Sequence, residues 1–136
     1  MTGIRVTKSI AGRLASESRV NAGAECCGLL AGRNGVITQA FPARNVAKDP
    51  KSNYEIAPVE IVRLMREFRA QGLEFLGIYH SHPNGDNVPS PRDIELAYYS
   101  EAIYFIVTPR PYATAPVRAF SIRDGQVAEL EIETVA

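Results

Sequence analysis

The chain has 136 residues, 46% of them hydrophobic and 22% charged, with fifteen basic residues balancing fifteen acidic ones. This is the composition of a soluble protein expected to form one domain over residues 1–136, and a formal charge of zero gives no electrostatic footprint for nucleic acid or an acidic membrane surface. The longest apolar run, Ala102–Val107, is far too short to cross a bilayer, and Met1-Thr2-Gly3-Ile4-Arg5 lacks the apolar stretch of a secretory signal, so the expected location is cytoplasmic.

Ile10, Ala11, Leu14, Ala15 and Ser18 recur at helical spacing and predict a first helix near residues 7–20, stopped by Asn21-Ala22-Gly23. Glu25 to Gly32 reads as a largely buried strand, Arg33-Asn34-Gly35 as a tight hairpin turn, and Val36 to Phe41 as the returning strand. Cys26 and Cys27 are adjacent and would face opposite sides of that strand, one as a small buried hydrophobe and the other as a thiol, with no strain-free disulfide between them. Pro42 to Asn53 is a polar surface loop, followed by a short strand at Tyr54–Ile56. Pro58 suits the first position of a helix that Gly72 ends, with Ile61, Leu64, Met65 and Phe68 as its core-facing stripe. Glu74 to His82 is the next strand, Pro83–Pro89 a loop, and Pro91–Ser100 a helix. A buried strand over Ile103–Thr108, a Pro109–Pro116 loop and a hairpin of Val117–Ile122 with Gln126–Thr134 around Asp124-Gly125 complete the chain. The order α-β-β-β-α-β-α-β-β-β predicts an α/β protein: a mixed sheet with helices on its faces.

His80 and His82 are the only two histidines. One residue separates them, so on an extended strand both imidazoles point to the same face. Imidazole is a common zinc ligand; a carboxylate can supply a third bond and water the fourth, which is the pattern of an open, catalytic site. By itself the pair is not diagnostic, since strand geometry permits metal binding without requiring it. Ser90-Pro91-Arg92-Asp93 has the form of a helix cap, with a hydroxyl at N-cap, proline at N1 and an acid at N3. Such a helix start beside the histidine strand would hold Asp93 rigidly near a metal. Glu25 opens an otherwise apolar strand, ordinarily a surface position. Beside a metal-acidified water, a carboxylate there could accept a proton and later deliver it to a leaving amine.

Together, Glu25, His80-Ser81-His82-Pro83, Ser90 and Asp93 resemble the signature of the JAMM (MPN-plus) metallopeptidase family. That signature is an upstream glutamate, His-x-His-Pro, seven residues between the second histidine and a serine, and an aspartate three positions later. The likeness runs over roughly residues 4–125; Glu25–Gly32 resembles the family's first strand, and Asn45, Pro50, Tyr54, Ile56 and Pro58 resemble its small bacterial members. The resemblance implies a cytidine-deaminase-like, three-layer α/β/α fold with a mixed sheet. It also implies one Zn2+ per chain bound by His80, His82 and Asp93, with water as fourth ligand. Glu25 would act as general base and then general acid, and Ser90 would hydrogen-bond the water or the oxyanion. The compact length resembles bacterial members acting on ubiquitin-fold sulfur-carrier proteins, hydrolysing the amide bond after a C-terminal Gly-Gly, in one case releasing cysteine. A glycine-rich tail would lie extended beside the site as an added strand, flanked by the Pro42–Tyr54 and Pro83–Pro89 loops. Two other readings compete. A non-catalytic MPN scaffold typically lacks the ligands kept here, and a RadC-like protein of DNA metabolism usually carries a helical DNA-binding module and a basic surface.

Overall fold

The computed structural model describes residues 3–110, 113 and 115–136. Its elements are β1 (Gly3–Thr7), α1 (Lys8–Val20), β2 (Cys27–Arg33), β3 (Val36–Ala43), α2 (Pro58–Gln71), β4 (Glu74–Ser81), α3 (Pro91–Glu95), β5 (Ile103–Val107), β6 (Val117–Arg123) and β7 (Gln126–Val135). The strands run in the order β1-β3-β2-β4-β5-β6-β7, and β1 also pairs parallel with β7, so the sheet curls until it closes. β1 with β3 and β4 with β5 are parallel, and the remaining neighbours are antiparallel, giving the expected mixed sheet.

Strand alternation divides the core between the two faces. Leu30 points to the side where Ile10 and Leu14 of α1 pack with Phe105 and Val107; Leu29 and Ala31 point to the side of Leu64 and Phe68 of α2, with Ile78 and Ile106. The two long helices therefore cover opposite faces, which is the three-layer α/β/α arrangement. Thr7 caps α1, its hydroxyl accepting the Ile10 N–H at 3.3 Å, and Pro58 at the start of α2 lacks the N–H that would otherwise need a partner. No helix among the described residues is long and apolar enough to cross a membrane.

Four boundaries differ from the sequence reading. β1 has no counterpart among the predicted elements: its Ile4–Arg5–Val6 alternation is short and runs straight into a helix, yet Ile4 and Val6 are buried and the strand closes the sheet. The predicted strand at Tyr54–Ile56 does not form; the Glu55 N–H donates to Asn45 Oδ1 and the Glu55 carbonyl accepts the Val46 N–H instead. Glu25 and Cys26 precede β2 rather than opening it. The helix at Pro91 stops at Glu95, well short of Ser100. Aromatic residues draw the chain off the helical path there: the Tyr99 N–H donates to the Tyr104 hydroxyl at 3.1 Å, and the Tyr99 ring packs edge-on against Phe75. The Met1-Thr2 start and part of the Pro109–Pro116 loop (111, 112 and 114) lie outside the described residues.

The β2–β3 hairpin turns through Asn34 and Gly35, at φ 54° and 74°, the left-handed pair that a two-residue turn requires. Gly32 is needed for a different reason. The β2–β3 register shifts there, and a Cβ at Gly32 would sit 1.7 Å from the Val36 carbonyl oxygen, which is backbone and cannot swing away. Gly32→Ala is expected to destabilise the fold by about 1–3 kcal/mol, the usual cost of forcing backbone apart in a packed strand, read as a lowered urea midpoint.

Candidate metal centre

β2 and β4 pair antiparallel with Cys27 opposite His80, and beyond them the Ser81 N–H donates to the Cys26 carbonyl at 3.0 Å. Continuing that register brings Glu25 beside His82. Tyr79 and Ser81 face the α1 side, so His80 and His82 face the α2 side together. The chain then holds its line for one more residue, because the His82 N–H donates to the Val107 carbonyl at 2.8 Å.

The start of α3 supplies the third group. Ser90 and Asp93 form a reciprocal capping box: the Asp93 N–H donates to Ser90 Oγ at 3.1 Å and the Ser90 N–H to Asp93 Oδ2 at 2.9 Å. The cap fixes the carboxylate against the imidazoles. His80 Nε2 lies 3.2 Å from Asp93 Oδ1, His82 Nε2 lies 3.0 Å from Asp93 Oδ2, and the two Nε2 atoms are 3.1 Å apart. Capping and placement beside the histidines are thus properties of one residue.

These distances suit a metal ion. A tetrahedral centre with bonds of about 2.0–2.1 Å puts its ligand atoms about 3.3 Å from one another. Electron-rich atoms this close need a cation among them, either protons on the imidazoles or a metal. Burial drives His80 below its ordinary pKa, since a charged ring would be stranded without water. Burial likewise opposes charge on Asp93, but the hydrogen bonds to His80 and His82 prevail and hold its carboxyl well below the usual range. His82 Nδ1–H donates to the Asp86 carbonyl at 2.7 Å; with Nδ1 so engaged, Nε2 donates to Asp93 when the ring is protonated and presents its lone pair to a metal when it is neutral. His80, His82 and Asp93 can hold one metal ion.

His80 is supported differently. Its Nδ1 is buried and has no hydrogen-bond partner among the described residues; instead the ring stacks on Tyr54, centroids 4.3 Å apart and planes 18° from parallel. Tyr54→Phe is therefore expected to leave metal affinity unchanged, whereas Tyr54→Ala should weaken it about 10-fold, the lower end of what a lost ligand support costs, measured by competition with a chelator. No site role for Tyr54 was legible in the sequence, where it stands only in a short predicted strand and among the residues that resemble small bacterial family members.

Glu25 is 7% exposed, and its carboxyl is pushed up to about 7. Burial is the main cause; positive charge on His82 opposes the rise, while Asp93 and Asp49 add to it. A carboxylate that both gains and loses a proton near neutral pH has the acidity proton transfer requires. Ser90 stays beside the group, its Oγ lone pair engaged by the Asp93 N–H and its own proton available to a further acceptor. An apolar cavity of about 120 Å³ opens next to Asp93, walled by Tyr54, Ile56, Leu96, Tyr99 and Tyr104, with Arg92 at its edge. All five residues singled out in the sequence, Glu25, His80, His82, Ser90 and Asp93, come together at this end of the sheet. Cys26 and Cys27 do not join them as ligands; both are free, and burial pushes their thiols up to about 11 and about 12, which leaves them unreactive.

A curled mixed sheet between two helices, carrying His-x-His at one strand end and a capped aspartate beside it, defines the JAB/MPN class of α/β domains. Comparison with known proteins agrees. The family of prokaryotic homologues of the JAB domain matches residues 7–123, and the chain belongs to it as a small prokaryotic JAMM/MPN hydrolase. It is 40% identical to a desampylase of Haloferax volcanii over 94 residues, 68% of each chain. It is 35% identical to a probable TtuB-protein conjugate cleaving protease of Thermus thermophilus, over 79% of this chain and 68% of that one. With a CysO-cysteine peptidase of Mycobacterium tuberculosis it shares 30% identity over 82% of this chain and 77% of the other. Among solved structures, a Desulfitobacterium hafniense protein superposes with a TM-score of 0.85 at 28% identity, covering 97% of this chain and 92% of that one. A JAB1/MPN domain protein of Archaeoglobus fulgidus superposes at 0.63 and 18% identity, covering 98% and 99%, a likeness of fold.

Proposed function

We propose that this chain is a zinc-dependent peptidase that hydrolyses the amide bond after the C-terminal Gly-Gly of a ubiquitin-fold, sulfur-carrier-type protein. The observation that carries the reading is the convergence of two Nε2 atoms and one carboxylate within 3.0 to 3.2 Å of each other, with Glu25 buried alongside. His80, His82 and Asp93 would hold one zinc ion per chain, leaving the fourth position to water. Bound there, zinc would supply the acidity that makes water a nucleophile near neutral pH and the charge that polarises a carbonyl.

The chain's own residues do the rest. Glu25 Oε accepts the attacking water's proton and returns it to the nitrogen of the leaving group, so one carboxylate serves as base and then acid. Ser90 Oγ–H donates to the oxygen on which charge develops. Asp86 and Tyr54 keep the two imidazoles in place. The segment Asn53–Ile56, which pairs with no strand among the described residues and has Glu55 bonded away to Asn45 and Val46, would offer its Tyr54 and Ile56 backbone to a glycine-rich tail added as a strand, and the Pro83–Pro89 loop bounds the other side. Small glycines suit such a track, since side chains would prevent close approach of the two backbones. The similarity to a desampylase, a probable TtuB-protein conjugate cleaving protease and a CysO-cysteine peptidase supports this choice of substrate class.

The test is cleavage of a ubiquitin-fold carrier extended beyond Gly-Gly by one amino acid or a short peptide. Zinc-loaded protein should release the extension, and a chelator should stop it. Equal cleavage of a carrier whose Gly-Gly is replaced by Ala-Ala would contradict the tail reading.

A further inference from the structure

Glu25 and Cys26 stand outside any strand, yet each of their four backbone groups has a partner. The Glu25 N–H donates to the Pro50 carbonyl at 2.8 Å, and the Glu25 carbonyl accepts from Asn45 Nδ2 at 3.0 Å. The Cys26 N–H donates to Ser81 Oγ at 2.8 Å, and the Cys26 carbonyl accepts the Ser81 N–H at 3.0 Å. In a regular antiparallel pair the Cys26 N–H would go to the Ser81 carbonyl. Here the hydroxyl takes it, and two side chains replace the ladder at the point where the chain delivers Glu25.

Both side chains also tie this segment to the parts of the chain that carry or support the metal group. Ser81 is fully buried and sits between His80 and His82. Its bond to Cys26 ties the glutamate's segment to the strand that carries the imidazoles. Asn45 Nδ2 also donates to the Asn53 carbonyl at 2.9 Å, and its Oδ1 accepts from the Ala47 and Glu55 N–H groups at 3.0 and 3.1 Å. Asn53 and Glu55 flank Tyr54, the residue stacked on His80. One amide thus links Glu25's carbonyl to both neighbours of that aromatic support.

We propose that Ser81 and Asn45 are positioning residues that set the Glu25 carboxylate relative to the His80–His82–Asp93 group. This rests on reading Glu25 as the proton-transfer residue. Because neither residue faces the reacting atoms, the effect of Ser81 is expected to run through Glu25, while Asn45 also holds the backbone on either side of Tyr54. A displacement of about 1 Å at a reacting group can cost on the order of 100-fold in rate.

The experiment is a double-mutant cycle on the zinc-loaded enzyme with the carrier fusion as substrate, recording kcat, KM and bound zinc. Ser81→Ala is expected to lower kcat about 10-fold or more with KM and zinc content unchanged, because binding and ligation are untouched. Ser81→Cys, which keeps the volume but is a weak acceptor, should behave the same way, and Asn45→Ala should lower kcat likewise. In a Glu25→Gln background, Ser81→Ala should cost nothing further, since there is no proton transfer left to misplace. The proposal is overturned if Ser81→Ala and Ser81→Cys keep wild-type kcat while Glu25→Gln is impaired. It is equally overturned if Ser81→Ala lowers the residual rate of Glu25→Gln by the factor it costs the wild type. A Glu25→Gln enzyme of undiminished kcat would instead remove the proton-transfer reading, and the positioning role with it.

Discussion

Glu25→Gln is expected to lower kcat by roughly 100- to 10,000-fold while zinc stays bound, and to make the metal-free protein more stable above pH 7. The two effects share one cause. Glu25 is buried in a place where ionisation is costly, so its folded-state pKa stands at about 7 against an ordinary 4.5. Below pH 4.5 the group is protonated in both folded and unfolded chains, and it places no penalty on the fold. Between 4.5 and 7 the unfolded chain releases the proton first, and stability falls as pH rises; above 7 the full penalty remains. A shift of this size corresponds to about 3 kcal/mol, and neutral glutamine removes it. Urea midpoints of metal-free wild type and variant should coincide near pH 4.5 and separate by pH 8, with glutamine the more stable. A variant that is inactive and also less stable at pH 8 would mean that Glu25 is a structural carboxylate.

Asp93→Asn is expected to weaken zinc binding by at least 100-fold and to reduce cleavage to background, for two separable reasons. The amide has no charge to offer a cation, and its nitrogen can turn toward the imidazoles as a donor rather than a ligand. The variant should also lose acid sensitivity. Hydrogen bonds to His80 and His82 outweigh burial and hold the Asp93 pKa below its ordinary value, so in the metal-free wild type this group contributes stability above the ordinary carboxylate range that is lost as pH falls through its folded value. The capping box adds to this, because the Ser90 N–H donates to the same Oδ2 that faces His82. Zinc titration monitored calorimetrically, together with acid unfolding of the metal-free proteins, separates ligand loss from cap loss. Wild-type zinc affinity in Asp93→Asn would remove this residue from the centre.

What the sequence made legible was local or periodic. The His80–His82 spacing needs only the two-residue period of a strand, the Ser90–Asp93 pair needs only helix-cap geometry, and the stripe on α2 needs only the 3.6-residue period. The relation between those pieces came from the length of the spacer between His82 and Ser90 and from a distant glutamate, features that resemblance to a family could read and periodicity could not. Hidden features were those decided by tertiary contact. β1 is five residues long, and its worth lies in closing the sheet against β7, a partner 128 residues away at Gly3–Glu131. Tyr54 reads as part of a short strand, but the backbone on either side of it is held by Asn45 and its ring by His80. α3 ends early because Tyr99 finds Phe75 and the Tyr104 hydroxyl, contacts that helix propensity does not contain. Ser81 looked like the variable residue of His-x-His, and only the fold reveals that its hydroxyl meets the amide of Cys26 from 55 residues away.

The most direct measurement is a zinc titration of metal-free protein with release of the residue beyond Gly-Gly from a ubiquitin-fold carrier followed in the same samples. Cleavage should rise linearly with added zinc and level off at one ion per chain, and Glu25→Gln should bind the same single ion without restoring turnover. Cleavage that persists in zinc-free protein, or that Glu25→Gln supports as well as wild type, would contradict a single zinc centre served by Glu25.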